Sequence, residues 1–118
     1  MARQELTIYT IDLDGVNIGA GTNVLGANDG AFVNDGHTIL KVVNGAGAER
    51  TFDCITPITV GGQALAVADH TVTIAASATR YVGPFPTGIY NQPSGADAGK
   101  VYFDLATDDL TFTAIRVP

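Results

Sequence analysis

The sequence predicts an all-β protein: an antiparallel β-sandwich or jelly-roll-like barrel of about eight strands with an N-terminal arm. Three observations lead there. Thr, Val and Ile abound while Glu, Lys, Gln and Met are few, and β-branched side chains suit a pleated surface better than a helix. Apolar and polar residues alternate with period two in several places. Turn-forming residues divide these runs at short, regular intervals.

The alternation is clearest where Val72 and Ile74 interleave with Thr71 and Thr73, and where Val101, Phe103 and Leu105 interleave with Lys100, Tyr102 and Asp104. Each run has one dry and one wet face. Phe52 and Cys54 alternate with Thr51 and Asp53 in the same way, whereas Ile39-Leu40 and Val42-Val43 are apolar on both faces, as a central strand would be. Two packed sheets explain both patterns. The turns fall at Asn44-Gly45-Ala46-Gly47, Pro57, Gly61-Gly62, Ala68-Asp69-His70, Gly83-Pro84, Pro93-Ser94-Gly95 and Thr107-Asp108-Asp109. Strands are therefore expected over residues 5–11, 37–43, 49–55, 63–67, 71–75, 79–83, 100–105 and 110–117.

Residues 13–36 read differently. Gly and Asn recur there, and the larger apolar residues Val16, Ile18, Val24, Leu25, Phe32 and Val33 follow no firm period. A compact domain seldom tolerates more than about 12 to 15 structureless residues unless something orders them. The stretch is either an arm fixed by a neighbouring chain or a long crossover between sheets of the same domain. The arm is the preferred reading. It makes residues 1–118 a single β-sandwich domain in which 1–36 form a strand plus extended arm and 37–118 the compact core, with those six apolar residues as candidate protein contacts.

Composition excludes several functions. A chain of 118 residues has room for one core, and 46% hydrophobic with 15% charged residues is too apolar for intrinsic disorder. No run approaches the ~18 apolar residues of a membrane span, and Met1-Ala2-Arg3-Gln4-Glu5-Leu6 carries a charge pair where a secretory signal needs an apolar stretch. No membrane partner and no export are expected. Six basic residues stand against twelve acidic ones, a net charge of −6, which disfavours a phosphate backbone and hence nucleic acid.

No catalytic or metal constellation emerges, so no enzyme activity and no cofactor are expected. Asp12-Leu13-Asp14-Gly15-Val16-Asn17 has the alternating oxygens of a calcium loop, but Gly15 comes too early and no bidentate Glu follows in range, which leaves a turn. Asn28-Asp29-Gly30 and Asn34-Asp35-Gly36 read as two successive turns around Phe32 and Val33. His37 and His70 sit in no motif. Cys54 is the lone cysteine and lies on the dry face of its strand, where a thiolate would be desolvated, so pairing it with a histidine for catalysis is disfavoured.

Tyr81-Val82-Gly83-Pro84-Phe85-Pro86-Thr87-Gly88-Ile89-Tyr90 is the most distinctive stretch. Its prolines stiffen the backbone. Pro84, Phe85, Pro86 and Tyr90 either present a rigid contact loop, which loses little entropy on binding, or Phe85 and Tyr90 fold back to plug the sandwich.

An ordered series of patterns over most of the chain carries a family resemblance: Asn34-Asp35-Gly36-His37-Thr38, a strand ending in Val43-Asn44-Gly45, Thr56-Pro57, Thr71-Val72-Thr73-Ile74, Arg80-Tyr81-Val82-Gly83-Pro84-Phe85-Pro86, Ile89-Tyr90-Asn91, and a closing strand to Val117-Pro118. In these the chain resembles the capsid decoration proteins (auxiliary head or cement proteins) of tailed bacteriophages. The resemblance implies a viral structural protein on the outer capsid surface of the virion, assembled in the host cytoplasm. Such a protein bridges major capsid protein subunits and stabilises the shell, commonly as a homotrimer at threefold or quasi-threefold points. Similar patterns occur in tail or fibre proteins. A receptor or glycan-binding module is the other reading, with Tyr81, Tyr90 and Tyr102 as stacking faces.

Overall fold

The computed structural model describes residues 3–19, 21–58 and 68–118. Among them the chain is an all-β sandwich of ten strands and one helical turn. Sheet A runs in the order β1 (Gln4–Glu5), β4 (Gly30–Val33), β9 (Lys100–Leu105), β6 (Arg50–Cys54), β7 (His70–Ile74). Sheet B runs β2 (Ile8–Thr10), β10 (Leu110–Arg116), β5 (Thr38–Asn44), β8 (Thr79–Val82), with the short β3 (Thr22–Asn23) also on β10. The helical turn α1 spans Thr87–Tyr90.

The period-two runs became strands with the expected faces. Val101, Phe103 and Leu105 point inward from β9 while Lys100, Tyr102 and Asp104 point out, and Leu40, Val42 and Asn44 point inward from β5. The expected strand over residues 63–67 lies outside the described residues.

Two expectations need correction. The sandwich is not purely antiparallel: β1 pairs with β4, and β2 with β10, in parallel, because the N-terminal run splits at Leu6-Thr7 and its halves join different sheets. The boundary at residue 36 is not a structural one, since β3 and β4 lie in the two sheets and Val24 and Phe32 are wholly buried. Residues 21–36 thus follow the crossover reading, and only the stretch between β2 and β3 is an irregular excursion. That stretch crosses the outer face of sheet B, where Gly21 approaches so closely that a Cβ would sit 2.6 Å from Thr113 Oγ1; Thr113 and Ile115 are buried beneath it.

All five phenylalanines of the chain meet between the sheets. Phe85 lies 5.3 Å from Phe32, Phe32 6.1 Å from Phe103, Phe103 4.5 Å from Phe112, and Phe112 5.1 Å from Phe52, centroid to centroid. The tilted and edge-on angles are those favoured by ring quadrupoles. Gly30 stands opposite Phe103 in the β4–β9 pair, and a Cβ there would lie 2.1 Å from the Phe103 ring. Only hydrogen leaves that ring its place.

Buried asparagines close both ends. Asn44 donates to the carbonyls of Ala48, Ile74 and Ala75 and accepts from the Ala46 N–H, tying the end of β5 to β7 of the other sheet. Asn34 donates to the Phe85 carbonyl and to Asn91 Oδ1 and accepts from the Gly36 N–H, while Asn91 donates back to the Asn34 carbonyl.

Phe103→Ala empties the centre of this ladder and should cost about 3–5 kcal/mol in urea unfolding. Gly30→Ala adds one methyl where the ring must move and should cost about 1–3 kcal/mol, an unusual sign for a glycine replaced within a strand. A Gly30→Ala variant as stable as the parent would mean that Phe103 is not held in this position.

Candidate functional site

The strongest surface feature lies at the end of the sandwich where β2, β4 and β10 finish and β5 begins. Ile11 follows β2 and donates its N–H to the Arg116 carbonyl; Val117 follows β10 and donates to the His37 carbonyl. Val33 ends β4. Helix α1, held against this end through the Asn34–Phe85 and Asn91–Asn34 bonds, contributes Ile89. These are four of the seven large hydrophobics left exposed among the described residues, Val33 at 47% and Val117 at 46%. By alternation Ile11 and Val117 face the side of sheet B opposite to Thr10 and Arg116, so the four are exposed near one end but on different faces.

A cleft of about 440 Å³ opens beside them, lined by Ile8, Thr10, Val33, Asp35, Thr38 and Arg116. Its polar rim is the ion pair of Arg116 Nε with Asp35 Oδ2 at 2.6 Å. The Asp35 carboxyl also accepts the His37 N–H, and this bond, with Arg116 beside it, holds its pKa below the usual carboxylate value.

The sequence-derived contact residues divide in two. Leu25 and Val33 are exposed, Pro84 and Pro86 are exposed, and Val16 and Ile18 are half-buried, Ile18 against the outer face of sheet B. Val24, Phe32 and Phe85 are corrected: they are buried at 0%, 0% and 3% exposure and belong to the core. For the Pro84–Tyr90 stretch the second alternative holds, since Phe85 packs on Phe32 and Tyr90 stands edge-on to Phe85 at 5.5 Å. Ile11, Ile89 and Val117 were missed. Ile11 and Val117 lie just beyond a strand and Ile89 lies in the helical turn, where strand alternation no longer reports which side a residue faces.

Of the tyrosines considered as stacking faces, Tyr90 is committed to Phe85, and Tyr102 is covered by the Arg3 guanidinium 4.1 Å from its ring centre. The Tyr102 hydroxyl donates to Asp97, and this bond raises the Tyr102 pKa and, with Lys100, lowers that of Asp97. Only Tyr81, 65% exposed, keeps a broad open surface.

Cys54 and His70 are cross-strand partners in the β6–β7 pair, so thiol and imidazole belong to neighbouring positions on one face. The chemistry runs against a nucleophile. Cys54 has no exposed surface, and desolvation, reinforced by the Asp53 and Asp69 charges, pushes its thiol up to about 12. An activated cysteine needs the opposite shift. Among the described residues no three His, Cys, Asp or Glu side chains gather as metal ligands, and no helix is long and apolar enough to cross a membrane.

The class of protein defined by these features is an all-β sandwich with a cleft opening at one end. Comparison with protein-family models, curated proteins and solved structures finds no match.

Native Cys54 should react with a disulfide reagent at pH 8 about a thousandfold more slowly than the unfolded chain, the ratio set by pKa values of about 12 and 9.0. The folded state keeps its proton where the unfolded state loses it, so the thiol removes stability as pH rises from about 9 towards about 12. Cys54→Ser should abolish this thiol-linked fall, read from denaturation midpoints across that range. Native labelling as fast as unfolded labelling would show an open, reactive thiol.

Proposed function

We propose that this chain is a structural protein of a tailed-bacteriophage head, bound to the outside of the capsid, where it bridges major capsid protein subunits and stabilises the shell as a homotrimer. The observation that carries the reading is the exposure of Ile11, Val33, Ile89 and Val117 on segments that finish near one end of the sandwich. It offers a contact surface on a scaffold whose own core is closed, which suits a protein that acts by adhesion. The family resemblance supplies the partner.

Two further features support it. The net charge of −6 keeps the chain away from packaged nucleic acid, and the buried, unactivated thiol suits a protein that performs no chemistry. On a symmetric shell modest contacts suffice, because each additional subunit of a trimer binds at the high effective concentration set by the first. The glycan-binding alternative retains only Tyr81 of its three candidate faces.

Purified protein should co-sediment saturably with expanded empty heads of the phage that encodes it. Val33→Asp with Val117→Asp should weaken that binding by about tenfold or more, since each places a charge in an apolar contact. Circular dichroism of the variant checks that it folds. Absence of binding to any head form of that phage would remove this reading.

A further inference from the structure

The surface charges are arranged unevenly. Among the described residues four of the six basic side chains are held by carboxylates: Arg3 by Asp104, Arg50 by Asp109, Lys100 by Glu5 and Asp97, and Arg116 by Asp35. Lys41 and Arg80 have no such partner, although acidic residues outnumber basic ones twofold. The two stand on opposite faces of sheet B. Arg80 is paired with the buried Val42, whereas Lys41 is paired with Tyr81 on the outer face.

Lys41 and Tyr81 share a groove. It measures about 240 Å³ and is lined by Ile18, Gly19, Lys41, Val43, Tyr81 and Ile115. Asn44 donates its N–H to the Ala78 carbonyl, so Asn44 and Ala78 form a hydrogen-bonded pair of the β5–β8 ladder. Alternation then makes Lys41 and Tyr81 a non-hydrogen-bonded pair, the kind whose Cα atoms approach to about 4.5 Å and whose side chains lie closest. The ammonium and the ring are neighbours on one surface. Tyr81 is 65% exposed, and among the described residues its ring meets no other ring and no cation.

Size, shape and charge together define a ligand chemistry. The groove falls below the roughly 300–1,000 Å³ of pockets that hold drug-sized molecules, so it takes a single ring and not a length of peptide. An open tyrosine face packs against the apolar side of such a ring. The C–H side of a pyranose is one, and it leaves the sugar hydroxyls to water. A free ammonium beside the ring selects a carboxylate, through a charge-assisted hydrogen bond. The net charge of −6 does not forbid an anion here. No acidic side chain lines the groove, and at physiological salt the field of remote carboxylates is screened over about 8 Å.

We propose that the groove beside Lys41 and Tyr81 is a binding site for a carboxylate-bearing sugar, an acidic pyranose such as a hexuronate. The pyranose ring stacks on Tyr81, and its carboxylate accepts a hydrogen bond from Lys41 Nζ. Ile18 and Gly19, on the stretch that crosses sheet B, bound the ring on another side. The site is separate from the cleft at Asp35 and Arg116, and it does not rest on the capsid reading, because neither the cleft nor a shell takes part in it.

Amide NMR spectra of the full chain, titrated with sodium galacturonate at constant pH and ionic strength, should show saturable shifts centred on Ile18, Gly19, Lys41, Val43 and Tyr81. The affinity should be in the millimolar range expected of so small a ligand. Galactose, which lacks the carboxylate, should bind about tenfold more weakly or worse. Lys41→Gln should bring galacturonate down to the galactose level, and Tyr81→Ala should abolish the shifts caused by either sugar. Arg80→Gln, on the opposite face, should leave binding unchanged. Well-dispersed spectra confirm that each variant folds. Absence of saturable shifts at any attainable galacturonate concentration overturns the proposal, as do equal affinities for the two sugars. Acetate causing the same shifts at the same concentrations would overturn it by leaving a site for a carboxylate ion alone. So would full binding by the Lys41→Gln variant, or a loss with Arg80→Gln as large as that with Lys41→Gln. An acidic peptide that fills the groove more tightly than the sugar would overturn it too, and would assign the surface to a protein partner.

Discussion

The phenylalanine ladder between the sheets is the constraint on which the rest of the structure depends. A domain of this size has room for no second core, and these five rings supply the largest buried side chains. Their order, from Phe85 through Phe32, Phe103 and Phe112 to Phe52, links residues far apart in sequence. It also fixes details that look unrelated. Gly30 is required by the ring of Phe103, and the stretch after β8 folds back because Phe85 is the terminal ring of the series. A stiff aromatic loop is thereby drawn into the interior instead of facing outward.

Once the rings set the spacing of the sheets, the open ends of the sandwich must be closed, and polar groups do this. Asn44 and Asn34 sit at opposite ends of β5, each buried and each bonded to backbone groups of other elements. Buried amides left without partners would be costly, so these bonds determine where the chain turns. At the Asn34 end they bring α1 beside the finishing residues of β4. Ile11, Val33, Ile89 and Val117 are left exposed by elements whose inward positions are already filled.

Electrostatics then distinguishes one surface from another. Most basic side chains are engaged in ion pairs that tie neighbouring segments, such as Arg3 to Asp104 across sheet A and Arg116 to Asp35 at the cleft. Exposed pairs of this kind contribute little stability each, but they remove charge from the surface open to partners. Among the described residues Lys41 on β5 and Arg80 on β8 are left without a carboxylate partner, a pattern that the net charge alone conceals. The thiol follows the same logic in reverse. Cys54 lies across from His70 in the ladder, yet burial governs its chemistry and leaves it protonated.

The sequence by itself determined the strands and their faces, because in a strand the side chain's side depends only on the parity of its position; Val101, Phe103 and Leu105 had to share one face whatever they packed against. It also determined the turn at residues 12–15, through local Asp and Gly chemistry. Tertiary structure decided what no local pattern encodes: which strands became neighbours, that β1 and β2 would pair in parallel in different sheets, and that Val24, Phe32 and Phe85 would be core instead of contact surface. It decided equally which cations would find carboxylates, leaving Lys41 and Arg80 without them among the described residues. The physical reason is that burial and ion pairing depend on distances between segments remote in sequence, and those distances exist only after the two sheets have closed on their shared aromatic core.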